Sequence, residues 1–201
     1  AQVNQPFKSY GVWKEGQFLT NENSTTGNQV GADLSFDKSG EIQEVVLRLG
    51  ISYVSLENAR LNLESETGNK SFGEIVGYAQ NAWEENLALI NVEGGTQAQQ
   101  NIFYTALYHS LQMPTVFNDV NGEFIGFDKK THKAEGYRYF TDLSLWDTFR
   151  SAHPLYTLIK PKDQRDMMIS LVEMSKLGGG KLPRWPSGGG YTGSMLGASA
   201  D

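Results

Sequence analysis

From Phe7 to Ser55 the apolar residues of PFKSYGVW and GADLSFDKSGEIQEVVLRLGISYVS alternate with polar ones or gather into short β-rich runs, which predicts antiparallel strands. Asp37-Lys38-Ser39-Gly40 lies between two such runs and reads as a hairpin turn, its glycine able to take positive φ. Gln17 to Val30, thick in Asn, Thr and Gly, reads as a surface loop. After Ser55 the period changes. Ser55 caps LENARLNLESE, and Ser71 opens SFGEIVGYAQNAWEENLALINV, where Phe72, Ile75, Ala79, Ala82, Trp83, Leu87 and Ile90 recur at roughly 3.6-residue spacing. Beyond Glu93-Gly94-Gly95, TQAQQNIFYTALYHSLQM predicts a third helix, with Phe103, Leu107 and Leu111 on one face and Pro114 marking its end.

Val116 to Tyr139 turns strand-like again, and Asn121-Gly122 between VFNDV and EFIGF is a hairpin signal. Ser144 caps a further helix through SLWDTFRSAHPLY. Lys162 to Leu177 supply another, with Met168, Leu171, Val172 and Ser175 on a face and Gly178-Gly179-Gly180 as its stop. The tail, KLPRWPSGGGYTGSMLGASAD, reads as loop.

Composition narrows the function. The 201 residues suit one large domain or two small ones with a real core. A net charge of −6 without a basic run argues against a nucleic-acid or polybasic membrane partner. The absence of cysteine removes disulfides, thiolate nucleophiles and cysteine metal sites together. The first residues show no signal-peptide pattern, and no apolar run approaches the roughly 18 residues a membrane span needs, so a soluble chain is expected.

The densest chemistry lies in SLWDTFRSAHPLY. On one continuous helix Trp146, Arg150 and His153 would share a face at i, i+4 and i+7. Asp147 then has two readings. It neutralises the helix N-terminus and pairs with Arg150 while Trp146 packs inside, or it accepts hydrogen bonds from ligand hydroxyls beside an aromatic wall. Asp142 and Asp147 would be turned about 140° apart on a helix, so they make no acid/base pair. His109, His132 and His153 lack metal-ligand spacing, and His109 reads as a structural residue. NDVNGEF fails as a calcium loop because Phe117 would occupy its first position. SGGGY lacks the P-loop lysine, and Ser194 lacks a GxSxG setting. LPRWP presents an aromatic and a cation, suited equally to sugar stacking and to loop packing.

Taken in order, ISYVSLENARLNLESE, WEENLALINVEGG, FYTALYHSLQMPTVFNDVNGEF, HKAEGYRYFTDLSLWDTFRSAHPLYTLIKP and LPRWP…TGSMLG resemble the glycoside hydrolase family 92 α-mannosidases. The resemblance implies an α+β chain: residues 1–55 as the closing strands of an N-terminal β-sandwich, 56–95 as a helical linker, and 96–201 as the first helices of an incomplete (α/α)6 barrel with a β-hairpin insertion. It implies a calcium-dependent, inverting exo-α-mannosidase removing terminal mannose from glycans, located in the periplasm, at the cell surface or outside the cell. Asp147 would line the sugar subsite, with Trp146 and Thr148 beside it. The family's acid, base and calcium ligands lie in motifs beyond Asp201, so the chain is expected to be an internal fragment, inactive alone. Its expected partners are a mannose-containing glycan and the remainder of the enzyme or a second copy of itself. Many members read GNET after the WP turn, whereas this chain has Gly189-Gly190-Tyr191-Thr192. The alternative is a non-catalytic carbohydrate-binding or interaction module.

Overall fold

A computed structural model describes residues 1–19, 22–37 and 44–200. They form two compact units, Ala1–Leu49 and Gly50–Asp201. The first holds β1 (Gln2–Val3), β2 (Ser9–Lys14), β3 (Gln17–Leu19), β4 (Val30–Ser35) and β5 (Leu47–Arg48). Strands β3, β2 and β4 make one antiparallel sheet in that order, and β1 pairs with β5. Glu15 and Gly16, with φ of 51° and 79°, close a two-residue turn that brings Gln17 opposite Lys14. The start of the Asn/Thr/Gly-rich stretch is therefore strand, and only Val30 onward rejoins the sheet. Trp13 faces Gly31 across the ladder, where a Cβ would fall 2.2 Å from the indole. Only glycine lets the ring lie there. The expected turn at Asp37–Gly40 falls, from Lys38 on, outside the described residues. Ile51 to Ser55 form no strand, contrary to their β-rich composition, but lead irregularly into the first helix.

The second unit comprises α1 (Leu56–Glu66), α2 (Phe72–Leu87), α3 (Gln97–Ser110), β6 (Thr115–Val116), β7 (Glu123–Ile125), β8 (Thr131–Lys133), β9 (Phe140–Thr141), α4 (Leu145–Thr148), α5 (Ala152–Ile159), α6 (Pro161–Leu177), β10 (Pro186–Ser187) and β11 (Gly190–Tyr191). Each of the first three helices starts where its cap predicts. Ser55 accepts the Asn58 N–H, and Ser71/Glu74 and Thr96/Gln99 form reciprocal capping boxes.

The hairpin differs from its sequence signal. Asn121-Gly122 does turn the chain, with Gly122 at φ 88° and its N–H on the Asp119 carbonyl. Yet β7 pairs with β8 and β6 with β9, so VFNDV and EFIGF are not ladder partners. The carboxylate of Asp119 accounts for this. Buried, it accepts from Ser52 Oγ (2.6 Å), Asn58 Nδ2 (2.8 Å) and Asn62 Nδ2 (2.7 Å), which ties this turn to α1 instead of to a neighbouring strand.

The helix predicted through SLWDTFRSAHPLY is broken. Four residues of α4 precede a turn at Phe149 to Ser151, and α5 restarts with Pro154 in its first turn, where a missing N–H costs no intrahelical bond. The single face of Trp146, Arg150 and His153 is thus lost. Helix α6 keeps its predicted extent and its glycine stop, Gly180 N–H returning to Ser175 O (2.7 Å). Its buried face is shifted, however: Asp166, Met167, Ser170, Leu171 and Met174 point inward, while Met168 and Val172 are exposed.

The core gathers Phe124, Phe127, Tyr139, Phe140, Leu143, Leu145, Tyr156 and the inner face of α6. Tyr139 stacks on Phe124 at 3.8 Å between centroids, and burial pushes its phenol well above the ordinary range, so it remains neutral. Helix α6 grips the chain that precedes α4: Asp166 accepts the Arg138 N–H (3.1 Å) and Ser170 Oγ the Phe140 N–H (2.9 Å). This grip fixes the segment carrying the candidate residues. None of the described helices is long and apolar enough to cross a membrane.

Candidate functional site

Thr141, Leu143 and Leu145 are buried almost completely, so the residues between and after them, Asp142, Ser144 and Trp146, turn toward the surface. The period of two is that of a strand, although only Phe140–Thr141 is paired as one. Alongside runs the loop of LPRWPSGGGY, pinned by the buried rings of Pro183 and Pro186. Three side-chain bonds lace the two segments together. Thr141 Oγ1 donates to Gly188 O (2.9 Å), Ser187 Oγ donates to Asp142 Oδ1 (2.7 Å), and the Trp185 indole N–H donates to Ser144 Oγ.

Ser144 does not cap α4 with its side chain. Its hydroxyl instead donates to Asp147 Oδ2, so an ordered relay runs Trp185 to Ser144 to Asp147. Asp147 is exposed, and its other carboxylate oxygen bonds none of the described residues. The Asp147–Arg150 pair that the spacing allowed is not formed. The guanidinium of Arg150 lies 4.9 Å from the ring centroids of both Trp146 and Phe149. Trp146 is 41% exposed and shares its ring with that cation. Thr148 is half-buried and donates its hydroxyl to Ser144 O (3.0 Å). Asp147, Trp146 and Thr148 are thus consecutive on α4, and one oxygen of Asp147 is left without a partner among the described residues.

The same laced segments wall a cleft of about 450 Å³ together with Tyr53, Phe117, Ile125 and Lys129. A second cleft, of about 320 Å³, is lined by Trp83, Met113, Tyr156 and charged groups that pair with one another. There Asp163 holds Arg138 and Lys160, and Lys160 also donates to Asn86 Oδ1. Its phenol, Tyr156, is pushed upward by burial and donates to the carbonyls of Ser110 and Met113. The first cleft leaves more of its polar atoms open, since Asp142 uses one oxygen on Ser187. Each cleft is lined by a single carboxylate, Asp142 in the first and Asp163 in the second.

A calcium ion requires about six to eight oxygen ligands. Among the described residues no three His, Cys, Asp or Glu side chains gather as a metal site. The most oxygen-rich cluster, Asp119 with Asn58, Asn62 and Glu123, has its carboxylates turned to amide and hydroxyl donors. The described residues do not fit the ion. The histidines are separate as well: His132 faces Asp128 (2.9 Å), His153 is buried with Nδ1 on Gln164 (2.8 Å), and His109 is exposed beside the Tyr108 ring.

The sequence reading missed Ser144 as the link, Asp142 as a cleft residue, and Tyr53 and Lys129 altogether. The LPRWP aromatic and the SGGGY glycines signalled part of the arrangement, since they mark a rigid turn followed by bare backbone.

Residues 58–201 match the family described as the glycosyl hydrolase family 92 catalytic domain. No curated protein matches the sequence. Among solved structures, a family GH92 inverting mannosidase from Bacteroides thetaiotaomicron is 27% identical, with a TM-score of 0.87 over 99% of this chain and 27% of that one. A family GH92 α-mannosidase from the same organism, also solved in complex with mannoimidazole, is 25% identical, with a TM-score of 0.83 over 98% of this chain and 27% of that one. A third GH92 glycosyl hydrolase is 27% identical, with a TM-score of 0.76 over 92% of this chain and 26% of that one. The chain therefore spans about a quarter of the length of these solved relatives.

Proposed function

The chain belongs to glycosyl hydrolase family 92, and from that premise we propose that it contributes the sugar-holding wall of an exo-α-mannosidase acting on mannose-containing glycans. The observation that carries this reading is Asp147, an exposed carboxylate fixed in direction by Ser144 and Trp185, with one oxygen left for a ligand. A vicinal pair of sugar hydroxyls offers the donors such a carboxylate accepts. Trp146 lends an apolar edge, and Thr148 keeps acceptor lone pairs because its hydrogen points to the helix backbone.

Hydrolysis with inversion needs an acid and a base, two carboxyl groups about 6.5–9.5 Å apart on opposite sides of the scissile bond. Neither of these two clefts supplies two carboxylates. We therefore assign these residues to binding and orientation of the sugar, and expect no turnover from them alone. Residues 1–55, 56–95 and 96–201 remain, in this reading, sandwich strands, linker and the opening of the helical catalytic domain.

Methyl α-mannoside titrated calorimetrically into the chain tests the reading. A hydrogen bond to a charged group contributes about 1.5–3 kcal/mol, so Asp147→Ala should weaken binding by roughly 10- to 100-fold. Asp147→Asn, which keeps an acceptor, should lose less. Unchanged binding in Asp147→Ala would refute the assignment, and release of nitrophenol from 4-nitrophenyl α-mannoside by the unmodified chain would refute the division of labour.

A further inference from the structure

The cleft lined by Trp83 and Tyr156 takes no part in the sugar reading, and the polar groups it has left to offer are all of one kind. We infer that it is a binding site for a small arylalkyl carboxylate, its apolar body seated in the cleft and its carboxylate on Arg138 and Lys160. The site is independent of Asp147 and of the mannose reading.

The volume of about 320 Å³ lies at the lower end of the roughly 300–1,000 Å³ of small-molecule clefts, which suits a compact ring-bearing body. The apolar wall is drawn from separate elements: Trp83 from α2, Met113 and Val116 from the stretch after α3, Phe140 from β9 and Met167 from α6. Phe140 and Met167 are buried and form the floor, whereas Met113 and Val116 are 54% and 41% exposed, their apolar surface still in water. Covering that surface favours an apolar occupant.

The acceptors around the cleft are engaged. Asp163 gives one oxygen to Arg138 Nη2 and the other to Lys160 Nζ (3.3 Å), and Asn86 Oδ1 receives the Lys160 ammonium as well. The carbonyls of Ser110 and Met113 take the Tyr156 hydroxyl. Donors remain. A guanidinium carries five N–H donors, and that of Arg138 spends only Nη2 on the described residues; Lys160 has three hydrogens and two partners. The Arg138 side chain is 45% exposed, within reach of a ligand, and its guanidinium is steadied over the Phe140 ring, 5.2 Å from the centroid. Two cations against one carboxylate leave a positive charge uncompensated at the cleft. A planar guanidinium with free N–H groups fits a second carboxylate in fork geometry. A sugar would find few open acceptors here for its hydroxyl hydrogens, and an amine would meet two like charges. Lys160 also ties α2, through Asn86, to Asp163 of α6, which holds the two sides of the cleft together.

Calorimetric titration of the chain with 3-phenylpropionate, 3-phenylpropan-1-ol and 3-phenylpropylammonium, which share a body and differ in the head, tests the inference. The acid should bind at least about tenfold tighter than the alcohol, the gain of one charge-assisted hydrogen bond, and the amine should bind most weakly. Arg138→Gln should bring the acid down to the level of the alcohol and leave the alcohol unmoved, while Met113→Ala should weaken both alike. Asp163→Asn, which releases both cations from their internal partner, should tighten the acid alone. Asp147→Ala should change nothing. Arg138 and Met113 are exposed, so both variants should unfold as the unmodified chain does; where one does not, the comparison of the three heads on the unmodified chain decides by itself. Equal binding of acid and alcohol, no binding of the acid at millimolar concentration, or an acid affinity untouched by Arg138→Gln would overturn the site.

Discussion

Helices α2 and α6 are of similar length, sixteen and seventeen residues, and each carries an apolar stripe, yet α6 buries five side chains and α2 none. The stripe on α2 is the more regular in sequence. Phe72, Ile75, Ala79, Ala82, Trp83 and Leu87 follow the helical period closely, but Phe72 is 69% exposed and Trp83, partly exposed, packs its ring on Tyr108 of α3 at 4.4 Å. The inner face of α6 contains Asp166 and Ser170, polar residues no hydropathy pattern would place inside. The contrast shows that period sets the secondary structure, whereas burial depends on what the neighbouring chain presents. Here Arg138, just before β9, and Phe140, within it, present backbone N–H groups, and α6 answers with oxygens.

The largest effect that could break this comparison is in α6. Met174 is fully buried against the aromatic core. Met174→Ala should therefore lower unfolding stability by about 2–5 kcal/mol, the range for truncating a buried long side chain. Urea denaturation followed by Trp fluorescence would measure it. A loss below about 1 kcal/mol would mean that the α6 face collapses around the cavity and is no better packed than α2.

The counterpart on α2 should be nearly silent. Phe72→Ala removes a large ring from a mostly exposed first turn, and surface substitutions away from special features fall within about 0.5 kcal/mol. The same urea titration applied to this variant would check it. A loss comparable to that of Met174→Ala would show that the stripe on α2 is covered in solution, and would erase the distinction between the helices.

What was legible in the sequence follows the same division. Helix starts were readable because capping chemistry is local: Ser55, Ser71 and Thr96 each act within three residues. The phase of α6 was misread by one position because Met168 and Val172 look buried and Ser170 does not. Ser170 is inside only because its hydroxyl meets Phe140 N–H from thirty residues away. Strand pairing of β6 with β9 and the link from Trp185 to Ser144 have the same character, since both depend on distant chain. Asp147 could be picked out by its motif, but its orientation could not. Asp142 was set aside because a continuous helix was assumed where the backbone turns left-handed.

The smallest effect concerns the N-terminus of α2, which holds itself by its own cap rather than by packing. Glu74 accepts the Ser71 N–H (2.8 Å) and the Ser71 hydroxyl (2.7 Å), and these bonds, the backbone one foremost, hold its carboxyl below the ordinary value. In the unfolded chain that carboxyl titrates near the usual value of about 4.3. Its stabilisation is therefore complete above that pH, because both states are ionised, and it fades as the pH falls through the lowered folded value, where both become protonated. Helicity of the first turn, followed by amide hydrogen exchange at Gly73 to Ile75, should drop modestly across that acid window. Glu74→Gln, which can still accept from Ser71 but cannot titrate, should flatten the pH dependence. An acid response that survives Glu74→Gln would place its origin elsewhere, and α2 would then depend on packing after all, as α6 does.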